Sequence, residues 1–198
     1  MTTDYVDIDV LQARMWPAGV SPADVDRKAL IDAIDSASRW VEGVTGRKFY
    51  ASTETRYFAA EESDILFVDD LLSITTLYTD SDGDGTYEDT WTTSDFVLSP
   101  YNASVDDRPY TMIEIANQGD YSFPIGVRKG VKIIGSWGFS SVAPQPIREA
   151  ALLQAARLYM RRLAPFGIVG SPDSGELRNL KEIDPDALAM LRPFVRQF

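Results

Sequence analysis

Between residues 144 and 164 apolar side chains recur on several sides of a helical wheel, while Gln154, Arg157 and Arg161 make one polar stripe at spacings of three and four. Pro146 suits a first helical turn and Pro165 lies just beyond the last, so a long central helix is predicted over 144–164. A helix apolar over so much of its girth packs on more than one side, and alanines at 150, 151, 155 and 156 let neighbours come close. A second pattern sets Val25, Leu30, Ala33, Ile34, Ala37, Trp40, Val41 and Val44 on one face, against Asp26, Lys28, Asp32, Asp35, Arg39 and Glu42. It predicts an amphipathic helix started by Ser21 as N-cap, with Pro22 and Asp24 behind it, and ended at Gly43 and Gly46. Two shorter helices are expected. One, within 4–20, carries Val10, Leu11, Arg14, Met15 and Trp16 and is stopped by Pro17 and Gly19; the other starts at Asp184-Pro185, carries Leu188 and Leu191, and ends at Pro193.

From about 50 to 140 the period changes to two. Short β-rich runs at 53–58, 65–68, 72–79, 87–92, 95–98, 110–115 and 131–137 are separated by turn residues. The fold class expected is therefore α+β: a small α-helical bundle of two main and two short terminal helices, interrupted by an inserted antiparallel β-sheet or small barrel. The divisions are 1–49 (N-terminal helical part), 50–140 (inserted β region), 144–164 (the central long helix completing the bundle) and 165–198 (a C-terminal arm with a short helix).

Composition narrows the function. The 198 residues include no Cys and no His, which removes disulfides, thiolate zinc sites, thiol nucleophiles and every imidazole couple. An enzyme here would have to work with carboxylates, Lys, Tyr or a hard cation. The net charge of −11 disfavours a protein that grips phosphates, and it suits one past which DNA slides without being held. No run approaches the length of a membrane span, and the acidic start MTTDYVDIDV is not an export signal, so the chain is expected in the cytosol or on something assembled there.

The most chemical stretch is Asp80-Ser81-Asp82-Gly83-Asp84-Gly85-Thr86-Tyr87-Glu88. Carboxylates of Asp80, Asp82 and Asp84, the carbonyl of Thr86 and the carboxylate of Glu88 stand at relative positions 1, 3, 5, 7 and 9 of a calcium loop, with Gly at 6. Position 12 is Trp91 where a bidentate Glu belongs, and the alternative is an acidic hairpin tip. No phosphate-binding or nucleophile-elbow motif occurs. The glycines around Gly135-Ser136-Trp137-Gly138-Phe139 read as places where chains cross closely. Residues 165–198 hold Phe166, Ile168, Val169, Leu177, Leu180, Leu188, Leu191, Phe194 and Phe198, too many apolar side chains for a solvated tail. That arm, with Arg157, Arg161 and Arg162, is the expected interface, docked on another subunit and dispensable for the fold, so that truncation after Lys181 would leave the body intact.

The order of these pieces resembles the head–tail connector (adaptor) family of tailed bacteriophages along nearly the whole chain. The resemblance is carried by Trp40-Val41-Glu42-Gly43-Val44-Thr45-Gly46-Arg47 before the β insertion, Trp137-Gly138-Phe139 leading to Val142-Ala143-Pro144, and Ile147-Arg148-Glu149-Ala150-Ala151 opening the long helix; Ala164-Pro165-Phe166-Gly167 and Asp184-Pro185-Asp186 add to it. It implies a non-enzymatic virion subunit that forms a dodecameric ring under the portal, extends the DNA channel and offers a surface to the next neck or tail-completion protein. Its implied partners are the portal protein, copies of itself and that downstream protein, with DNA passing unbound and no membrane. The implied location is the neck of the virion, reached from the host cytoplasm during assembly, with no cofactor unless the Asp80 loop takes calcium. The rival readings are a monomeric calcium-binding or carbohydrate-binding β module and, behind it, a carboxylate-based hydrolase.

Overall fold

A computed structural model describes residues 3–16, 25–117, 119–162, 168–169, 178–179 and 183–196. In chain order its elements are α1 (Ile8–Met15), α2 (Arg27–Thr45), β1 (Ser52–Phe58), β2 (Ile65–Thr79), β3 (Asp89–Trp91), β4 (Phe96–Ser99), β5 (Tyr110–Ile115), β6 (Val131–Trp137), α3 (Gln145–Arg162), β7 (Ile168–Val169), β8 (Arg178–Asn179) and α4 (Pro185–Leu191), followed by a 3-10 turn at Arg192–Phe194. They fall into two compact units, one made of residues 1–47 and 143–198, the other of 48–142.

In the helical unit α1, α2 and α4 all pack on α3, as its wide apolar girth requires. Leu11, Leu30, Ala33, Ile34, Ala37, Leu152, Ala155 and Tyr159 form its core, and Trp16 meets the Tyr159 ring edge-on at 6.1 Å. Each fully buried Leu or Ile contributes about 1.5–3 kcal/mol. The start of α2 differs from expectation. Asp26 is its N-cap and accepts from the Ala29 N–H at 3.1 Å, while Ser21 to Asp24 lie outside the described residues. The helix also runs through Gly43 and stops only at Gly46, whose left-handed φ of 66° lets its N–H reach the Glu42 carbonyl. Two polar residues complete the buried face in place of Trp40 and Val44, which are half-buried: Ser38 and Thr45 return their hydroxyls to the Ile34 and Val41 carbonyls at 2.9 and 2.8 Å.

The other unit is an antiparallel sheet in the order β1-β6-β2-β5-β4, with β3 on β2. It is not closed into a barrel, since no described strand pairs with the outer edge of β1 or of β4. The strands expected at 110–115 and 131–137 form over those residues, whereas the runs at 87–92 and 95–98 shorten or shift to β3 and β4. The larger correction is β2. The runs 65–68 and 72–79 are one strand of 15 residues, with register shifts between Phe67 and Leu71, Leu71 and Ser73, and Ile74 and Thr76. Asp69 and Asp70 read as a turn, yet they form the irregular stretch of that strand: Asp69 meets Arg56 at 3.0 Å, and the Asp70 carbonyl accepts from Gly138 at 2.9 Å. Its first half can then pair with β5 and its second half with β6.

The core of this unit lies on one face of the sheet. Leu66, Leu77, Ile113, Val131, Ile133 and Trp137 fill it, and the Trp91 ring stacks against Tyr121 and Phe123 at 5.5 and 4.8 Å. Both buried indoles are satisfied, Trp91 by the Thr79 hydroxyl and Trp137 by the Glu54 carbonyl, each at 3.0 Å. No helix among the described residues is long and apolar enough to cross a membrane.

Candidate functional site

The acid loop follows β2. Asp80 is only 3% exposed, and its two carboxylate oxygens accept from the Gly83 and Gly85 amides at 2.7 and 2.9 Å. Asp82 accepts from the Asp84 amide and Asp84 from the Thr86 amide, at 3.1 and 2.6 Å. One oxygen each from Asp80, Asp82, Asp84 and Glu88 lies within 4.8 Å of the others, so the first part of the calcium-loop pattern does bring its carboxylates together. Trp91, at the closing position, is buried between aromatic rings. The carboxylates are already the acceptors that fold the tip, and acids alone specify no ion. Asp80→Ala should therefore cost about 1–3 kcal/mol in urea unfolding, while Asp82→Ala, on the exposed side of the loop, should cost within about 0.5 kcal/mol. Equal effects at the two positions would contradict this account of the tip.

The residues expected at an interface are divided by the structure. Arg157 lies 2.6 Å from the Asp184 carboxylate, and the buried Gln154 accepts from the Asp184 amide at 3.2 Å, so two members of the polar stripe on α3 receive the start of α4. Arg162 pairs with Asp26 at 2.5 Å and covers the Tyr159 ring. Leu191 has no exposed surface at all; Arg161, Leu188 and Phe194 are half-buried. Ile168 belongs to the short β7–β8 pair, while Phe166 and Phe198 lie outside the described residues. Arg157, Arg162 and Leu191 thus hold the helical unit together.

Sequence reasoning missed the outward face of the sheet. Across three strands Tyr57, Lys132 and Tyr78 stand in one row. The Lys132 ammonium is 5.1 Å from the ring centres of both Tyr78 and Tyr87, and Lys129 is 5.7 Å from that of Tyr57. The Tyr87 hydroxyl donates to the Lys129 carbonyl at 2.8 Å; burial, more than the neighbouring Tyr57 and Asp80, raises its pKa. At the opposite edge the ring of Tyr101 is 66% exposed and its hydroxyl donates to Glu114 at 2.7 Å, a bond to an anion that raises the hydroxyl's pKa. Val97, Tyr101 and Glu114 line a groove of about 310 Å³ there. The signal available was the period of two itself, which puts Phe67 opposite the buried Leu66 and Val68, and Val97 opposite the half-buried Phe96 and Leu98.

No family model and no curated protein matches the sequence. Solved structures do match. Over 100% of its length and 94% of the other chain, the protein is similar to a chain in the neck of an empty gene transfer agent (GTA) particle computed with C6 symmetry, at 17% identity and a TM-score of 0.63. The fold is shared with a GTA neck chain. The neck of the native particle computed with C12 symmetry gives 18% identity and a TM-score of 0.55 over 98% of this chain and 92% of that one. The virion of the native particle gives 19% and 0.60 over 98% and 91%.

Proposed function

We propose that the chain is a structural, non-enzymatic subunit of a phage-like neck. It is a head–tail connector that forms a ring of copies beneath the portal, continues the DNA channel and presents a surface to the next neck or tail component. The observation that carries this reading is the likeness of fold to chains of GTA neck and virion structures along 98–100% of this chain. The absence of His and Cys supports it, and the charge of −11 suits a channel wall that DNA passes without sticking. Assembly in the host cytoplasm and residence in the finished neck follow from the same role.

Electron microscopy of the purified protein mixed with portal rings of its own particle tests the proposal. Portals capped by a second ring are the expected result, and particles made without the protein should hold filled heads and separate tails. Bare portals in the mixture, or normal joining in the protein's absence, would overturn it.

A further inference from the structure

Three strands of the sheet unit have no second strand partner among the described residues, β1, β4 and the three-residue β3, and the two longer ones, β1 and β4, differ in chemistry. At the β1 edge Tyr57 is 48% exposed with the Lys129 ammonium 5.7 Å from its ring, Lys132 stands beside it one strand in, on β6, and Ile125, 60% exposed, bridges Ala60 just past the strand. The β4 edge is apolar around an anion: Val97 and Tyr101 are 43% and 66% exposed, and Glu114 lies in the groove with them. Exposed apolar side chains beside an open strand edge are what proteins ordinarily cover or break up with charge and proline. Cation with aromatics on one edge and anion with apolar groups on the other are complementary, whereas either edge against itself sets like charge against like.

We propose that the two edges are the two halves of one contact between copies, the β1 edge of one protomer set against the β4 edge of the next, with Lys129 facing the Tyr101–Glu114 groove across it. Two different surfaces of the same chain meeting in this way give a head-to-tail interface, the kind that closes into a ring when the rotation per copy allows. The inference rests on the ring-forming role proposed above and names the surface that forms the ring.

The absence of native cysteine gives a clean test. Thr55→Cys on β1 and Val97→Cys on β4 are carried singly or together, and the full-length chains are treated with a short bis-maleimide. Four strand spacings, about 19 Å, and a further offset along β2 separate the two edges of one sheet, because β6 pairs with the second half of β2 and β5 with its first, so a short link joins different copies. The double variant should give a ladder of linked multimers; each single variant alone should stay monomeric, and the two single variants mixed should stop at dimers. Single variants that link to themselves would show a two-fold contact and overturn the proposal, as would a double variant that never links. Charge reversal supplies a second readout. Glu114→Lys and Lys129→Glu should each weaken ring formation at least about tenfold, and the chain carrying both should recover it. Rings that form on portals regardless of these changes would defeat the edge contact and leave the proposed function standing; portals that stay bare even with the unaltered protein would defeat the function itself.

Discussion

Truncation after Lys181 should lower the melting temperature by about 6–20 °C and cost the helical unit about 3–5 kcal/mol, against the sequence-based expectation of an intact body. The apolar residues of the arm suggested a segment that docks elsewhere, but α4 is a wall of its own unit. Leu191 and Ala187 have no exposed surface, so cutting them away opens a cavity above α3 of the kind that makes a buried Leu→Ala change cost about 2–5 kcal/mol. The cut also removes Asp184, which caps α4 through the Asp186 and Ala187 amides and meets Arg157 at 2.6 Å with both side chains largely shielded from water. The Arg196 amide, which reaches the Thr45 carbonyl at the end of α2, is lost as well. Leu191→Ala in the full-length chain separates packing from the rest and should retain most of the loss. A truncated protein that melts with the intact one would return the arm to the status of an appendage.

That reversal shows what hydrophobicity in a sequence does and does not carry. Leu188, Leu191 and Phe194 had to be buried, and the period could not say whether the surface receiving them belonged to the same chain. Arg157 and Gln154 looked like a solvated stripe for the same reason, since a polar residue at helical spacing reads alike whether it meets water or the cap of a docked helix. The elements with a strong period or an unambiguous stop were legible: α3 before Pro165, α4 from Asp184-Pro185, β5 and β6 as β-rich runs between turn residues. The break predicted in β2 was not, because two consecutive aspartates favour a turn locally, while the sheet accommodates them as an irregularity with Arg56 and Gly138 as partners. The acid loop is a similar case. Spacing correctly gathered four carboxylates within 4.8 Å, but the same spacing lets each aspartate accept from a loop amide a few residues on, so composition alone could not separate an ion site from a self-capped tip. Along the outward sheet face only the strand order β1-β6-β2-β5-β4 places Tyr57 and Lys132 toward one side and Val97 and Glu114 toward the other.

Gly138→Ala should be among the most damaging single substitutions in the chain, at about 3–5 kcal/mol, and Gly43→Ala should stabilise it by about 0.5–1 kcal/mol. Gly138 stands just past β6 with a φ of 133°, a conformation that side chains with a Cβ rarely adopt, and its N–H donates to the Asp70 carbonyl. A Cβ there would overlap the backbone carbonyl of Tyr50, which cannot swing aside as the end of a long side chain could. Strain and overlap each cost about 1–3 kcal/mol, and relieving one by moving the backbone would disturb the Gly138–Asp70 bond and the neighbouring Phe139 amide, bound to the Lys48 carbonyl at 2.8 Å. Gly43 is the opposite case. It sits inside α2 with nothing within 4 Å of the position a Cβ would take, so alanine removes backbone freedom from the unfolded chain and meets no obstacle in the folded one. Urea unfolding of the two variants beside the parent checks both signs. A Gly138→Ala protein as stable as the parent would mean that the chain leaving β6 can move away from Tyr50, and the close crossing read from the glycines of 135–139 would lose its physical basis.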